Sequence, residues 1–314
     1  MPSEPYLLRL GRKVATGAAL LSEELQESLL RFLRSRQHVD GGFTGRDSES
    51  DLYYTAFALR GLAALSGLEP ELCRSVAAYL RGQRQAHVSV VDLVSWLSSA
   101  VLLQLAGGED LLAEADPAWP DRLAAALEAF RVDDGGYAKT HAGAAGSTYH
   151  SFLVVLCYEL IGRQVPDANR LVNFIRNRQR EDGGFVEIEP MKRSGTNPTA
   201  AAVAALMILG ADGASLRESV GAFLSQVAST EGGYQANARI PFADGLSTFT
   251  GLLTLMDLQL ADEATIARCE RFIESLEAPG GGYRGASWDP LADVEYSYYA
   301  LGTLALARAM RGAT

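Results

Sequence analysis

A short glycine motif returns along this chain at a nearly constant interval, and that recurrence limits the available folds more than any other feature. It reads Asp40-Gly41-Gly42-Phe43, Asp134-Gly135-Gly136-Tyr137, Asp182-Gly183-Gly184-Phe185, Glu231-Gly232-Gly233-Tyr234 and Gly280-Gly281-Gly282-Tyr283. The first glycines of the final pairs stand at 41, 135, 183, 232 and 281, so the steps are 94, 48, 49 and 49, the first being a doubled interval. A period of this length marks a repeat architecture, in which each unit leaves an apolar face for its neighbour to cover. Paired glycines admit positive φ and close backbone approach, which suits a tight turn after a helix. The aromatic that follows is expected to pin the turn to the next repeat.

Two kinds of helix alternate around these turns. Segments 24–37, 71–85, 120–132, 167–180, 215–227 and 265–276 carry apolar residues at helical spacing against a charged face. Phe32, Phe174, Phe223 and Phe272 each precede a glycine marker by nine residues, an offset expected of packing side chains. Segments beginning near Asp51, Asp92, Ser147, Gly195, Asp244 and Asp293 are almost free of charge for three turns, as buried helices are. The second pair has no glycine turn; His87-Val88-Ser89-Val90-Val91 stands there instead. This predicts an all-α chain of six helical hairpins, roughly 24–67, 71–107, 119–162, 167–210, 215–260 and 265–310, in one domain spanning 1–314. Neither end has the polar face that an open solenoid needs, and Tyr298-Tyr299-Ala300-Leu301 is as apolar as the middle repeats. A closed α6/α6 barrel, a toroid, removes that need.

Composition narrows the partners. A net charge of −10 argues against a nucleic-acid binder, which carries a basic face. No apolar run reaches the roughly 18 residues of a membrane span, and the first residues lack the pattern of a signal peptide. Cys73, Cys157 and Cys269 are odd in number and widely separated, which fits buried free thiols in a reduced, cytoplasmic setting.

Six hairpins, a period near 48 and the run Gln179-Arg180-Glu181-Asp182-Gly183-Gly184-Phe185 resemble the prenyltransferase and squalene-cyclase repeat family. That family includes protein prenyltransferase β subunits and class II terpene cyclases. The resemblance implies inner helices around an aromatic-lined isoprenoid pocket, with functional residues where the inner helices begin. Helix N-termini favour acids and anions there, although Asp51 and Asp92 read first as helix caps.

The resemblance also exposes departures. Prenyltransferase β subunits hold zinc with an Asp-x-Cys motif at the fifth inner helix and a His at the sixth. The corresponding residues here are Asp244-Gly245-Leu246 and Tyr296, so no cofactor is expected, zinc least of all, since Leu cannot ligate it. Magnesium would enter only with a diphosphate substrate. The family's diphosphate-binding Arg and Lys fall on Ala238 and Pro241; Lys192, Arg193 and Arg239 lie nearby as substitutes. Class II cyclases use Asp-x-Asp-Asp, whose acid protonates an alkene. The nearest match is Asp293-Val294-Glu295-Tyr296, with Glu295 at the position of the acid. The candidate catalytic residues are therefore Asp293, Glu295 and Asp244. Tyr53, Tyr54, Trp96, Tyr149, His150, Phe242, Tyr296 and Tyr299 join the three basic residues as candidate substrate contacts, since aromatic faces suit isoprenoid chains and cations alike. Ser147 and Thr140 stand near His150 and His141, but a hydrolase needs convergent geometry and an orienting acid.

Three functions remain open on this reading. One is an isoprenoid transferase with a diverged, zinc-free site. The others are a cyclase using Asp293 and Glu295, and a non-catalytic toroid that binds a lipid or a protein. The expected ligand is an isoprenoid or prenyl diphosphate, and a helical partner subunit is compatible with the resemblance.

Overall fold

The computed structural model describes residues 4–83, 89–112, 114 and 117–312, so His87 and Val88 of the glycine-free second loop lie outside the described residues. The chain divides into two compact units, Met1–Leu123 with Leu276–Thr314, and Ala124–Ser275. None of the described helices is long and apolar enough to cross a membrane.

The first unit contains α1 (Tyr6–Ala18), α2 (Glu23–Ser35), α3 (Leu52–Ala64), α4 (Pro70–Gly82), α5 (Val90–Leu105) and α13 (Val294–Gly312). The unit boundary falls within α6 (Trp119–Glu128). The second unit contains α7 (Thr148–Leu160), α8 (Ala168–Arg176), α9 (Thr196–Ile208), α10 (Ala214–Gln226), α11 (Gly245–Asp257) and α12 (Glu263–Glu274). Amphipathic and apolar helices alternate as their sequences predict. In the second unit α9 packs between α7 and α11, with α8 and α10 against α9 and α12 against α11. In the first, α3 packs between α5 and α13, with α2 against α3 and α4 against α5.

The last repeat therefore meets the first inside one unit, as closure requires. The Gly281-Gly282 turn seats on α2. A Cβ at Gly282, where φ is +72°, would lie 2.6 Å from the Phe32 ring. The same seat recurs where Gly136 lies on Phe174, Gly184 on Phe223 and Gly233 on Phe272. Tyr79 fills this role for Gly42. The nine-residue offset of the phenylalanines thus marks the platform on which the preceding repeat's turn rests.

The aromatic after each glycine pair is also tied through its backbone to its own repeat. Backbone N–H groups of Phe43, Tyr137, Phe185, Tyr234 and Tyr283 donate to the hydroxyls of Thr55, Ser151, Thr199, Thr248 and Ser297, at 2.9–3.0 Å. Each hydroxyl stands four residues after the residue that opens its inner helix. A buried N–H without a partner would cost free energy, so this latch locks turn and helix together.

Short antiparallel ribbons set the start of three inner helices. β1 (Phe43–Thr44) pairs with β2 (Ser50–Asp51), β3 (Tyr234–Gln235) with β4 (Ala243–Asp244), and β5 (Tyr283–Arg284) with β6 (Ala292–Asp293). Each register puts an Asp opposite the latched aromatic.

Two features depart from the sequence reading. The N-terminal α1, outside the six hairpins, packs on α13 and α3, and Gly17 comes so close to α13 that a Cβ would lie 1.9 Å from the Ala305 carbonyl oxygen. Its buried residues Tyr6, Leu10 and Val14 recur every fourth position, so the signal was present without a glycine turn to announce it. The second inner helix begins at Ser89, whose hydroxyl accepts from the Asp92 N–H in a capping box. Asp92 therefore belongs to the first turn and does not share the register of Asp51, Asp244 and Asp293. Cys73, Cys157 and Cys269 are buried free thiols.

Candidate functional site

The residues at the start of α13 form the densest polar cluster among the predicted sites. Asp293 is 1% exposed, and its Oδ1 accepts the Tyr296 N–H at 2.9 Å, as a helix cap does. Its Oδ2 receives the Arg46 Nε at 2.8 Å. Arg46 also reaches Asp289, Nη2 to Oδ2 at 2.5 Å and Nη1 to Oδ1 at 3.3 Å. One guanidinium thus binds two buried carboxylates, a geometry for which arginine is suited. Burial works against ionisation of Asp289, but Arg46 holds its carboxyl below the usual range.

Glu295 stands on the first turn of α13 and accepts the Tyr53 hydroxyl at 2.6 Å. Burial pushes its carboxyl above the usual range and the nearby Asp293 charge adds to this, while Tyr53, Tyr299 and Arg46 oppose it. Around it lie Tyr53 against Phe57 (4.9 Å between ring centroids), Phe57 against Tyr299 (5.3 Å) and Tyr298 (5.5 Å), and Tyr296 against Tyr299 (6.4 Å). Arg46 also lies 5.6 Å over the Tyr296 ring. Tyr54 packs on Gly45 in the adjoining loop. The structure thus gathers Asp293, Glu295, Tyr53, Tyr54, Tyr296 and Tyr299 into one cluster within the first unit.

Arg46 and Asp289 were not found from the sequence. Arg46 lies between β1 and β2, 247 residues from Asp293, and no local spacing links them.

Other predicted residues lie elsewhere. Trp96 is buried and donates its indole N–H to the Leu80 carbonyl at 2.9 Å, which places it in the packing of α5 on α4. In the second unit, both carboxylate oxygens of Asp244 engage Ser247: Oδ1 accepts its N–H at 2.7 Å and Oδ2 its hydroxyl at 2.8 Å. Burial raises the Asp244 carboxyl. Asp244 caps α11, and Leu246 beside it carries no metal-ligating atom. Lys192, Arg193 and Arg239 are exposed on loops, and Phe242 is half-buried.

A second polar group surrounds the start of α7. The Ser147 hydroxyl contacts both His150 Nδ1, at 2.6 Å, and Glu187 Oε1. Tyr149 joins through its N–H, 3.4 Å from Glu187, and its ring lies edge-on to His150. Burial pushes His150 down to about 4, aided by Lys139, and burial raises Glu187. The serine lies between the acid and the imidazole, so this is not a hydrolase triad, in which histidine occupies the middle. A separate cavity of about 500 Å³ in this unit is lined by Arg217, Glu218, Tyr234, Asp262 and Arg268 and holds none of the predicted site residues.

The model of the prenyltransferase alpha-alpha toroid domain matches residues 17–92 and 94–311. The chain belongs to that family. The prenyltransferase toroid fold is also that of Candida albicans protein geranylgeranyltransferase-I complexed with GGPP, at TM-score 0.72 and 14% identity over 90% of this chain and 91% of that one. A variant of type II terpene cyclase MstE from Scytonema, in complex with geranylgeranyl dihydroxybenzoate, superposes at TM-score 0.63 and 15% identity over 97% and 99% of the two chains. An inactive variant of an alpha-1,6-mannanase from Salegentibacter superposes at TM-score 0.62 and 14% identity over 91% and 98%. No curated protein matches the sequence. A glycan hydrolase beside two isoprenoid enzymes shows that this likeness carries the toroid and leaves the reaction to the side chains.

Proposed function

We propose that this toroid is an isoprenoid-handling enzyme that starts its reaction by protonating an alkene with Glu295. The observation that carries this reading is the Glu295 carboxyl, held 2.6 Å from the Tyr53 hydroxyl beside Asp293 and among aromatic rings. Asp293 is paired directly with Arg46, whereas Glu295 is hydrogen-bonded by hydroxyls and feels that guanidinium only at longer range, so protonation relieves its burial and its repulsion by Asp293. The O–H proton of Glu295 bonds to one alkene carbon through the π pair, and the O–H pair stays on the carboxylate. The cation left on the other carbon closes onto a second alkene and loses a proton to water, and the Glu295 carboxylate takes a proton back from solvent, so the substrate is isomerised with no net change in atoms. Tyr53, Phe57, Tyr296 and Tyr299 offer π faces to the cation.

The transferase reading has weaker support, because a diphosphate needs several converging cations and Lys192, Arg193 and Arg239 are exposed on loops. GGPP and geranylgeranyl dihydroxybenzoate, held by two structural relatives, are the first ligands to try.

Glu295→Gln removes the proton and keeps the shape. Binding, read as a rise in melting temperature, should persist while formation of a cyclised isomer falls at least about a hundredfold, the scale of a general acid. Asp293→Asn lowers the Glu295 pKa, so the alkaline limb of the pH–rate profile should move to lower pH. Full turnover in Glu295→Gln would place the acid elsewhere. If no isoprenoid shifts the melting temperature at its solubility limit, a toroid that binds a protein partner becomes the better reading.

A further inference from the structure

Below Tyr53, the same face of α3 carries a second unusual side chain. Tyr53, Phe57 and Arg60 are spaced four and three residues apart, so they form one stripe. The Arg60 Cζ lies 5.2 Å from the Phe57 ring centroid, and Nη2 donates to the Ser98 hydroxyl of α5 at 3.2 Å. Ser98 is 2% exposed and passes its own proton to the Ser95 carbonyl at 3.3 Å. The Arg60 Nε is buried without a hydrogen-bond partner, and among the described residues no carboxylate pairs with this guanidinium. Its neighbours are Phe57, Ser98 of α5 and Tyr298.

Arg60 is half-buried, and leaving its buried Nε without an acceptor costs free energy. Rules of this kind are broken where a ligand uses the exception. Arg46, the other arginine placed in this cluster among the described residues, is committed to Asp289 and Asp293. A lone planar guanidinium matches a singly charged carboxylate, whereas a diphosphate, with about three charges, calls for several cations.

We infer that Arg60 is a binding residue for the carboxylate head group of an isoprenoid acid whose alkene end reaches Glu295. Seven residues of helix separate Tyr53 from Arg60, so these two positions lie about 10 Å apart along α3. The inference rests on the isoprenoid reading above and deepens it by naming the head group.

Three probes with one chain test it at pH 8: geranylgeranoic acid, geranylgeranyl diphosphate and geranylgeraniol. Calorimetry on the wild type should find the acid at least about tenfold tighter than the alcohol, the scale of one charge-assisted hydrogen bond. Arg60→Gln should abolish that preference, Arg60→Lys should keep part of it, and Glu295→Gln should keep all of it while losing turnover. Equal binding of acid and alcohol by the wild type overturns the inference and leaves the isoprenoid reading standing. A diphosphate that binds tightest and is unaffected by Arg60→Gln also overturns it, by placing the anion site elsewhere. If none of the three binds, both readings fall together. Should Arg60→Gln not fold, the wild-type preference and Arg60→Lys still decide.

Discussion

Two inner-helix starts, at α13 in the first unit and α7 in the second, are built on one plan and filled with opposite chemistry. In both, a loop after a Gly-Gly-aromatic turn brings a charged side chain to the first turn of an inner helix. At α13 the visitor is Arg46, which binds Asp293 and Asp289. At α7 it is Glu187, which meets Ser147 and, through it, His150. The guanidinium pairs with Asp293 and holds the Asp289 carboxyl below its usual range, and Glu295 is the acid with the raised pKa. Burial raises the Glu187 carboxyl, with no ion pair to it among the described residues, and burial also keeps the imidazole beside it neutral. Loop residues that look interchangeable by position therefore decide which helix start holds a charge pair and which holds a neutral relay.

The largest effect expected from breaking this contrast is at Arg46. Arg46→Met strands two buried carboxylates, Asp293 at 1% and Asp289 at 6% exposure. Loss of one partner of a buried pair costs about 3–5 kcal/mol, and the part-exposed guanidinium places this one lower, at about 2–3 kcal/mol. Urea unfolding measures it. A loss below about 1 kcal/mol would show that Asp289 and Asp293 do not depend on the pair.

The same contrast separates what the sequence discloses from what it hides. Helical spacing and the glycine period locate the hairpins because each repeat repeats its packing: Phe174 under Gly136, Phe223 under Gly184, Phe272 under Gly233. The register then leads to Asp293, Glu295, Tyr296 and Tyr299, which occupy one helix turn and the next. Arg46 escapes, because its role depends on the first repeat meeting the last, a contact that local spacing cannot express. Glu187 escapes similarly, lying 40 residues from Ser147. Arg60 was hidden for another reason: one charge in an apolar helix reads as a solvated side chain until Phe57 and Ser98 are seen around it. Lys192, Arg193 and Arg239 were credited for charge and nearness in sequence, and the loops carry them outward.

A smaller effect, of opposite sign at the two helix starts, is expected from pH. His150 is depressed to about 4 from an ordinary value near 6.5, so its contribution is fully present above pH 6.5 and is lost as pH falls toward 4. Glu295 is raised, so its contribution is present below the ordinary carboxylate value and is lost as pH rises through its folded pKa. Unfolding free energies from pH 4 to 8 should lose part of their acid-side decline in His150→Gln. Glu295→Gln should instead flatten the alkaline side. Identical pH curves for the two variants would mean that the helix starts are not electrostatically distinct.

The smallest effect is at Glu187, and it is seen in proton positions more than in stability. Ser147 Oγ already accepts the His150 backbone N–H at 3.0 Å, which leaves one further acceptor site and one proton to share between His150 Nδ1 and Glu187. With Glu187 ionised, Ser147 donates to the carboxylate, and His150 must carry its proton on Nδ1. With Glu187 protonated, the carboxyl donates to Ser147, Ser147 donates to Nδ1, and the imidazole proton moves to Nε2. Both arrangements keep the hydrogen bonds of Ser147 Oγ to His150 and Glu187, so Glu187→Gln should change stability by no more than about 1 kcal/mol. Burial raises Glu187 while His150 falls to about 4, so acidification protonates the carboxyl before the imidazole. Nitrogen-15 NMR of the wild type should therefore show His150 passing from the Nδ1–H to the Nε2–H tautomer before the imidazolium forms. Glu187→Gln cannot ionise, so its His150 tautomer should stay constant until the imidazole itself titrates. A tautomer change that persists in Glu187→Gln would mean that another group drives it and that Ser147 is only a helix cap.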